Sequence, residues 1–299
     1  MPDVNRVFAN PRLAGLICAV LAVGSGALYL AVAGAPPRYL VVNLAALGVG
    51  AGIWLGLGRW RASRCDGGAV VALAASLLAT AVFGAAVDGA ARWVTVGPLG
   101  LQVSFIVLPA ILVLYARTTD AIGTAGIVLA ACAVAAQPDR AMAGALVAGT
   151  GAILLVKRSR PGAISAIAAV IAFAVTMLRP DTLPPQPFVE HVLYSAFEVH
   201  MLIGLVVVAG CLILAAPALS AVRTVPERAG ALAFGASWAA TVAAAALGNY
   251  PTPLVGYGAS AVLGYLISAG LLPGSGAYRQ RTDAVGEGHA VSKAIPGAQ

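Results

Sequence analysis

The chain has 299 residues, of which 60% are hydrophobic and only 10% charged, and its mean hydropathy is +0.92. A soluble domain carries about 25% charged residues, so this composition excludes an ordinary water-soluble fold and makes lipid the solvent. The net charge of +7 does not signal nucleic acid, because the basic residues sit in short clusters between apolar runs, which is the pattern of membrane topology.

A membrane-crossing helix needs about 20 apolar residues. Candidate spans run over 13–33, 39–57, 69–87, 101–115, 121–136, 141–156, 163–178, 193–215, 229–247 and 254–272. The first has Arg6 and Arg12 before it and Ala31-Val32-Ala33 after it, as a signal peptide would. It is longer than a typical signal core and similar runs follow it, so it reads as a retained first helix. In the second span Gly48, Gly52 and Gly56 recur at every fourth position, a small-residue face expected to let helices pack closely. No Gly-rich loop follows a strand, so there is no nucleotide fingerprint. Cys18, Cys65, Cys132 and Cys211 are scattered without metal-ligand or redox spacing and read as small buried hydrophobes. Residues 1–273 form one polytopic domain, and the Gly-, Ala- and charge-containing stretch 274–299 reads as a disordered cytoplasmic tail.

Charge orients the spans. With the N-terminus inside, the inner segments hold Arg6, Arg12, Arg59, Arg61, Arg64, Arg117, Lys157, Arg158, Arg160, Arg223, Arg228, Arg279, Arg281 and Lys293. The outer segments hold only Arg38, Arg92, Arg140 and Arg179. Fourteen against four is a strong positive-inside bias. Adding or dropping one span midway would scramble it. The expectation is therefore an all-α integral membrane protein of about ten helices, with both ends cytoplasmic, in a bacterial inner membrane.

The outer segments carry the chemistry-bearing residues: Asp88, Asp139, Asp181, Glu190 and Glu198, with the four arginines. Residues 89–102 read GAARWVTVGPLGLQ, 137–143 read QPDRAMA, 183–204 read LPPQPFVEHVLYSAFEVHMLIG, and 250–261 read YPTPLVGYGASA. In this order, and on this side, they resemble the SEDS family (shape, elongation, division and sporulation). Gly89, Ala90, Arg92, Trp93, Gly97, Pro98, Gln102 and Ser104 fall on its Gly-Ala-x-Arg-Trp … Gln-Pro-Ser-Glu segment. Gln137, Pro138 and Asp139 fall on its Gln-Pro-Asp-Leu-Gly motif. Pro251, Pro253, Tyr257, Gly258 and Ser260 fall on its Pro-Leu-Pro-Phe-Ile-Ser-Tyr-Gly-Gly-Ser motif. Glu190, Glu198 and Gly204 repeat the spacing of an Asp, a Glu and a helix glycine in its large outer loop.

This sequence also departs from the pattern. Phe105 and Leu108 stand where the family has an acidic and a basic residue, Glu190 stands at its catalytic Asp, and Arg140 follows the Gln-Pro-Asp triplet. The loop between the seventh and eighth spans is short.

The resemblance implies a SEDS-like bundle and a role in cell-envelope biogenesis, division or shape. The implied activity is polymerisation of lipid II, or another polyprenyl-pyrophosphate-linked glycan, with a class B penicillin-binding protein as partner. It makes Glu190 the catalytic base and Arg92, Asp139, Arg140, Arg179, Gln102, Tyr257 and Ser260 the substrate-binding set. A base is needed to deprotonate an acceptor hydroxyl, and arginine matches phosphate bidentately. Arg92, Asp139 and Glu190 are expected to converge on one outward cavity. Glu190 also fits a plainer role, at the N-terminus of the eighth helix where its charge suits the dipole. His191 and His200 read as interfacial. The sequence requires no cofactor or metal and leaves a divalent cation open. Partners besides membrane lipid and the lipid-linked glycan precursor do not include nucleic acid. Two other readings stand beside the enzyme: a catalytically inactive scaffold of an envelope complex, which the losses at Phe105 and Leu108 favour, and a flippase or transporter. The near absence of ionisable residues at span centres argues against ion-coupled transport.

Overall fold

The structure, a computed structural model, describes residues 10–58, 65–87, 90–179, 184–221 and 225–273. The expected tail 274–299, and the basic clusters at 59–64 and 222–224, lie outside the described residues, as do Asp88, Gly89 and Asp181.

Helix boundaries follow from capping residues. Helix α1 (Pro11–Val32) starts at Asn10, whose side chain accepts from Leu13 N at 3.3 Å, with proline at its first position. Helix α2 (Pro37–Leu57) also begins on proline, and α3 (Asp66–Phe83) begins on an acidic residue, both favoured at N-termini. A short antiparallel sheet follows, β1 (Ala85–Val87), β2 (Ala90–Val96) and β3 (Leu99–Gln102), with β2 central. Helix α4 covers Val103–Thr118. Asp120 caps α5 (Ala121–Ala136), Asp139 caps α6 (Arg140–Lys157) and Ser159 caps α7 (Arg160–Met177), each by a side-chain oxygen accepting a first-turn amide. Then come α8 (Val192–Val199), α9 (Met201–Leu212), a 3₁₀ turn (Ile213–Ala215), α10 (Ala216–Ala221), α11 (Val225–Leu247) and α12 (Ala259–Gly270).

Among the described residues, seven helical segments are long and apolar enough to cross a membrane, and α4, α5 and α12 are shorter apolar helices. Together they match the ten expected spans, and the molecule is an all-α membrane protein. Two details differ. The expected span 193–215 is broken at His200, whose extended backbone (φ −169°, ψ 142°) separates α8 from the membrane-length segment Met201–Leu219. Residues 85–87, read as the end of the third span, and 90–102, read as loop and span start, carry the three strands of the small sheet instead.

The interior is built on aromatic rings and close backbone approach. Trp238 lies against Phe105, Phe234 and Tyr265, and all four are buried. Between apolar helices in lipid, close packing replaces the hydrophobic effect as the source of association. A Cβ at Gly264 would collide with the Phe105 carbonyl, and one at Gly26 with the backbone of Val255. The expectation for Gly48, Gly52 and Gly56 is corrected: nothing lies within 4 Å of a Cβ at any of them, and Gly50, on another face of α2, packs on Leu266 instead. The three recur on the side of α2 that faces out of the bundle. Cys18 and Cys211 are buried as expected, whereas Cys65 and Cys132 are exposed.

One end of the bundle is tied by cations. Arg117 pairs with Asp66 at 3.4 Å, donates to the Leu271 carbonyl and accepts on its own carbonyl from Lys157 Nζ at 3.4 Å. Arg12 sits 4.3 Å from the Trp54 ring, and Trp54 Nε1 donates back to the Arg12 carbonyl at 3.2 Å. These contacts gather the starts of α1 and α3 with the ends of α2, α4, α6 and α12. Strict up-and-down alternation would do the same. Reporters fused after Arg64, Arg160 and Arg228 are therefore expected in the cytoplasm, and reporters near Arg92 and Pro185 outside. A cytoplasmic signal at Pro185 would overturn this topology.

Candidate functional site

At the opposite end, the sequence motifs interlock. Arg92, on β2, is buried, and its guanidinium donates to the Gln137 carbonyl at 3.1 Å and to the Pro138 carbonyl. Gln137 Nε2 in turn donates to the Leu77 carbonyl at 2.8 Å. Asp139 is fully buried. Its Oδ2 accepts from Ser104 Oγ at 2.7 Å and Gln102 Nε2 at 3.0 Å, while Oδ1 accepts from Met142 N at 3.2 Å. The amide of Gln102 donates to Ser260 Oγ at 2.9 Å. Three stretches separated by up to 168 residues in sequence, from Arg92 to Ser260, thus form one polar knot. A buried carboxylate is tolerated where donors surround it.

A second set of contacts fastens the loop 184–191 to the turn 250–258. Thr252 N donates to the Val189 carbonyl at 2.9 Å and Tyr257 N to the Phe188 carbonyl at 2.6 Å. Asn43, buried within α2, holds the same turn with both arms of its amide: Nδ2 donates to the Gly256 carbonyl at 3.0 Å, and Oδ1 accepts from Gly258 N at 3.1 Å. Tyr39 stacks on Tyr257 with ring centroids 3.8 Å apart. Phe188, His191 and Leu254 have positive φ (67°, 59° and 63°), a conformation costly for side chains that gathers at functional loops.

Two cavities open at this end. The first, about 170 Å³, is lined by Trp93, Gln102, Thr252, Tyr257 and Ser260 among others. The second, about 480 Å³ and more open, is lined by Tyr29, Gln186, Glu190, His191, Ser195 and Glu198 among others. Glu190 is half-buried. Its Oε2 accepts from Gln186 N at 2.7 Å. Burial pushes its carboxyl above the usual glutamate range, partly offset by hydrogen bonds from the Gln186 and Glu190 amides and by nearby His191. Tyr29 Oη and Ser195 Oγ share a hydrogen bond of 2.7 Å on the same wall.

The proposed site residues are therefore divided. Glu190 lines the larger cavity; Gln102, Tyr257 and Ser260 line the smaller one; Arg92, Asp139, Arg140 and Arg179 line neither. Arg140 Nε donates to the Thr176 carbonyl at 3.1 Å, and its other arm reaches the Arg179 carbonyl. Arg179 donates to the Ala135 and Ala136 carbonyls at 3.0 and 3.2 Å. These guanidiniums sit on last-turn and following carbonyls at the ends of α7 and α5, where the negative dipole end draws them. Glu190 directly precedes His191, the N-cap residue of α8, so the dipole is close to it but its carboxylate bonds the loop. Among the described residues, no three His, Cys, Asp or Glu side chains converge so as to hold a metal ion.

Sequence reasoning missed Asn43, Thr252, Tyr39 and the Tyr29–Ser195 pair. Asn43 had a usable signal, since it is an amide alone inside an apolar span, which must find partners or cost free energy. Tyr39, Tyr29 and Ser195 had none.

No protein-family model matches the chain, and no curated protein matches it. Among solved structures, it is similar to the rod shape determining protein RodA of Thermus thermophilus, with 21% identity and a TM-score of 0.59, covering 86% of this chain and 94% of that one. An aspartate-to-alanine variant of the same protein matches with 21% identity and a TM-score of 0.55, covering 86% and 95%. The chain therefore shares the fold of a rod shape determining protein over 86% of its length.

Proposed function

We propose that the chain is a divergent SEDS protein of the bacterial inner membrane that extends a glycan strand from a polyprenyl-pyrophosphate-linked sugar. The observation that carries this reading is Glu190, a half-buried carboxylate with a raised pKa on the wall of an open cavity at the outer end of a RodA-like fold. The acceptor hydroxyl oxygen attacks the anomeric carbon of the lipid-linked sugar. The bond from that carbon to the pyrophosphate oxygen breaks, the electron pair leaves with the pyrophosphate, and Glu190 takes the hydroxyl proton. A carboxylate with raised basicity suits that transfer. A class B penicillin-binding protein is the partner the reading implies.

A scaffold without activity is the second reading, favoured by specific side chains. Phe105 and Leu108 are buried in the core where the family motif is charged, and Arg92, Arg140 and Arg179 bind backbone carbonyls. The test is polymerisation of a lipid-linked disaccharide by purified wild type and Glu190→Gln, alone and with a candidate penicillin-binding partner. Wild-type activity lost in the variant supports the enzyme. No activity in either, with partner binding intact, supports the scaffold.

A further inference from the structure

We propose that Asn43, an amide inside the second membrane span, is the positioning residue for Glu190: acting through the 250–258 turn, it sets where the loop 184–191 holds that carboxylate. The proposal rests on the reading above only for calling Glu190 the base.

Asn43 stands out within its own helix. Between Leu40 and Ile53 it is the one side chain of α2 with hydrogen-bonding atoms, and it is 1% exposed. Only Asn43, Ala46 and Gly50 are buried on α2, so most of this helix faces outward, and an aliphatic residue at 43 would serve the span as well. An amide in a membrane span is unfavourable unless its donor and its acceptor are both paired. Here a single turn, 213 residues further along the chain, pairs both. Nδ2 donates to the Gly256 carbonyl at 3.0 Å, and Oδ1 accepts from Gly258 N at 3.1 Å. Attachment at two points fixes the orientation of the turn as well as its distance. One helical turn earlier, on the same face of α2, Tyr39 stacks on Tyr257 with the rings 10° from parallel. The helix therefore meets the turn at two levels.

The turn passes this constraint on to the loop. Thr252 N donates to the Val189 carbonyl and Tyr257 N to the Phe188 carbonyl, and these are the two residues immediately before Glu190. Gly256, between those two donors in sequence, presses on the same segment. A Cβ there would lie 2.9 Å from the Val189 carbonyl oxygen and 3.2 Å from that of Phe188, so glycine is needed for the approach. Tyr39 also meets the Phe188 ring edge-on, with centroids 6.1 Å apart. Phe188 in the loop and Leu254 in the turn both have positive φ, and backbone of that kind persists only where its neighbours over-determine it. Asn43 thus acts on Glu190 through two successive sets of hydrogen bonds, its own to the turn and the turn's to the loop.

The test compares the full chain with its Asn43→Leu and Asn43→Asp variants in lipid nanodiscs. One readout is hydrogen exchange at single amides. The other is NMR of 13C-labelled glutamate side chains: the chain has four glutamates, and Glu190→Gln assigns the one of interest. Val189 N and Glu190 N both bond the Gln186 carbonyl. In Asn43→Leu they are expected to exchange roughly tenfold faster, the worth of one to two neutral hydrogen bonds, together with Thr252 and Tyr257. The amides of α6 are expected to keep their wild-type protection. The Glu190 carboxyl, raised by burial in the wild type, is expected to move down toward the ordinary glutamate range as the loop opens to water. A protonated aspartate keeps one donor and one acceptor in the places of the amide. Asn43→Asp is therefore expected to hold the loop as wild type does at acidic pH, and to release it once ionised, because a carboxylate has nothing to donate to the Gly256 carbonyl. If Asn43→Leu does not fold, this variant decides alone. The proposal is overturned if Gly258 N is released while Val189 and Glu190 exchange as in wild type. It is also overturned if protection falls equally in α6 and the loop, or if the protonated aspartate does not hold the loop. The polymerase reading fails separately. An inactive wild type whose loop loosens in Asn43→Leu removes that reading and leaves the coupling. An active wild type is expected to lose about tenfold in kcat with KM little changed, and an unchanged kcat beside a loosened loop removes Asn43 as a positioning residue.

Discussion

Replacing Glu190 by Gln is expected to reduce polymerisation on the order of 10²–10⁴-fold, the usual loss on removing a general base. Glutamine keeps the length of the side chain, and its carbonyl oxygen can still accept from Gln186 N, which now lies 2.7 Å from Oε2, so the loop 184–191 has no reason to move. What disappears is the negative charge and the basicity. The pH profile gives a second reading of the same group. Burial raises the Glu190 carboxyl, so the wild type is expected to lose activity on acidification at a pH above the ordinary glutamate range of about 4.3, because the base must be unprotonated to work. The sign for stability is the opposite. A group with a raised folded pKa favours the folded state below its unfolded pKa and forfeits that contribution as pH rises through the folded value. Glu190→Gln is therefore expected to be at least as stable as wild type at neutral pH. If the variant were instead unstable and equally active per folded molecule, Glu190 would be a structural loop residue. Glu190→Asp tests the reach of the carboxylate: one methylene fewer shifts it by about an ångström, and a displacement of that size can change rate by about a hundredfold.

Asp139→Ala is expected to cost about 2–4 kcal/mol of stability, the largest effect of any single change at the outer end. The side chain caps α6 through Met142 N and accepts from Ser104 Oγ and Gln102 Nε2. Loss of a helix cap typically costs about 1 kcal/mol, and a buried hydrogen bond to a charged acceptor is worth about 1.5–3 kcal/mol. Alanine also leaves the buried donors of Ser104 and Gln102 facing a gap. Asp139→Asn keeps the shape and one acceptor oxygen, so it should lose less. Thermal or denaturant unfolding of the purified protein measures both. A stability within about 0.5 kcal/mol of wild type for Asp139→Ala, combined with lost activity, would return Asp139 to the role of a substrate ligand and remove it as the tie between α4 and α6. The same logic applies to Arg92, whose bonds to the Gln137 and Pro138 carbonyls hold the turn that carries Asp139.

The motif matches could be seen in the residue string, but their purpose could not. Gln-Pro-Asp and Gln-x-Ser suggested substrate contacts, and several of these side chains are instead occupied with one another. Hydrogen-bond partners are set by three-dimensional proximity, and Gln102, Asp139 and Ser260 are far apart along the chain. Likewise Arg140 and Arg179 suggested phosphate clamps from charge alone. Their engagement with the carbonyls of α7 and α5 depends on which helix ends lie beside them, a matter of packing.

What the sequence determined by itself was the class of fold and the direction of each crossing. Apolar run lengths and the asymmetry of Lys and Arg are local properties, and the bilayer turns local hydropathy directly into spans. Tertiary structure alone decided which small residues carry contacts and where the cavities lie. Gly26 and Gly264 are pressed against neighbouring backbone while Gly48, Gly52 and Gly56 face outward, although the spacing of the latter looked the more significant. Between helices in lipid every face is apolar, so hydropathy carries no signal for which face is buried, and close steric fit makes that choice. The unpaired hydroxyl of Thr252 and the two-armed grip of Asn43 on the 250–258 turn are products of that fit. They exist only once α2, the β2–β3 hairpin and the turn before α12 are brought to the same end of the bundle.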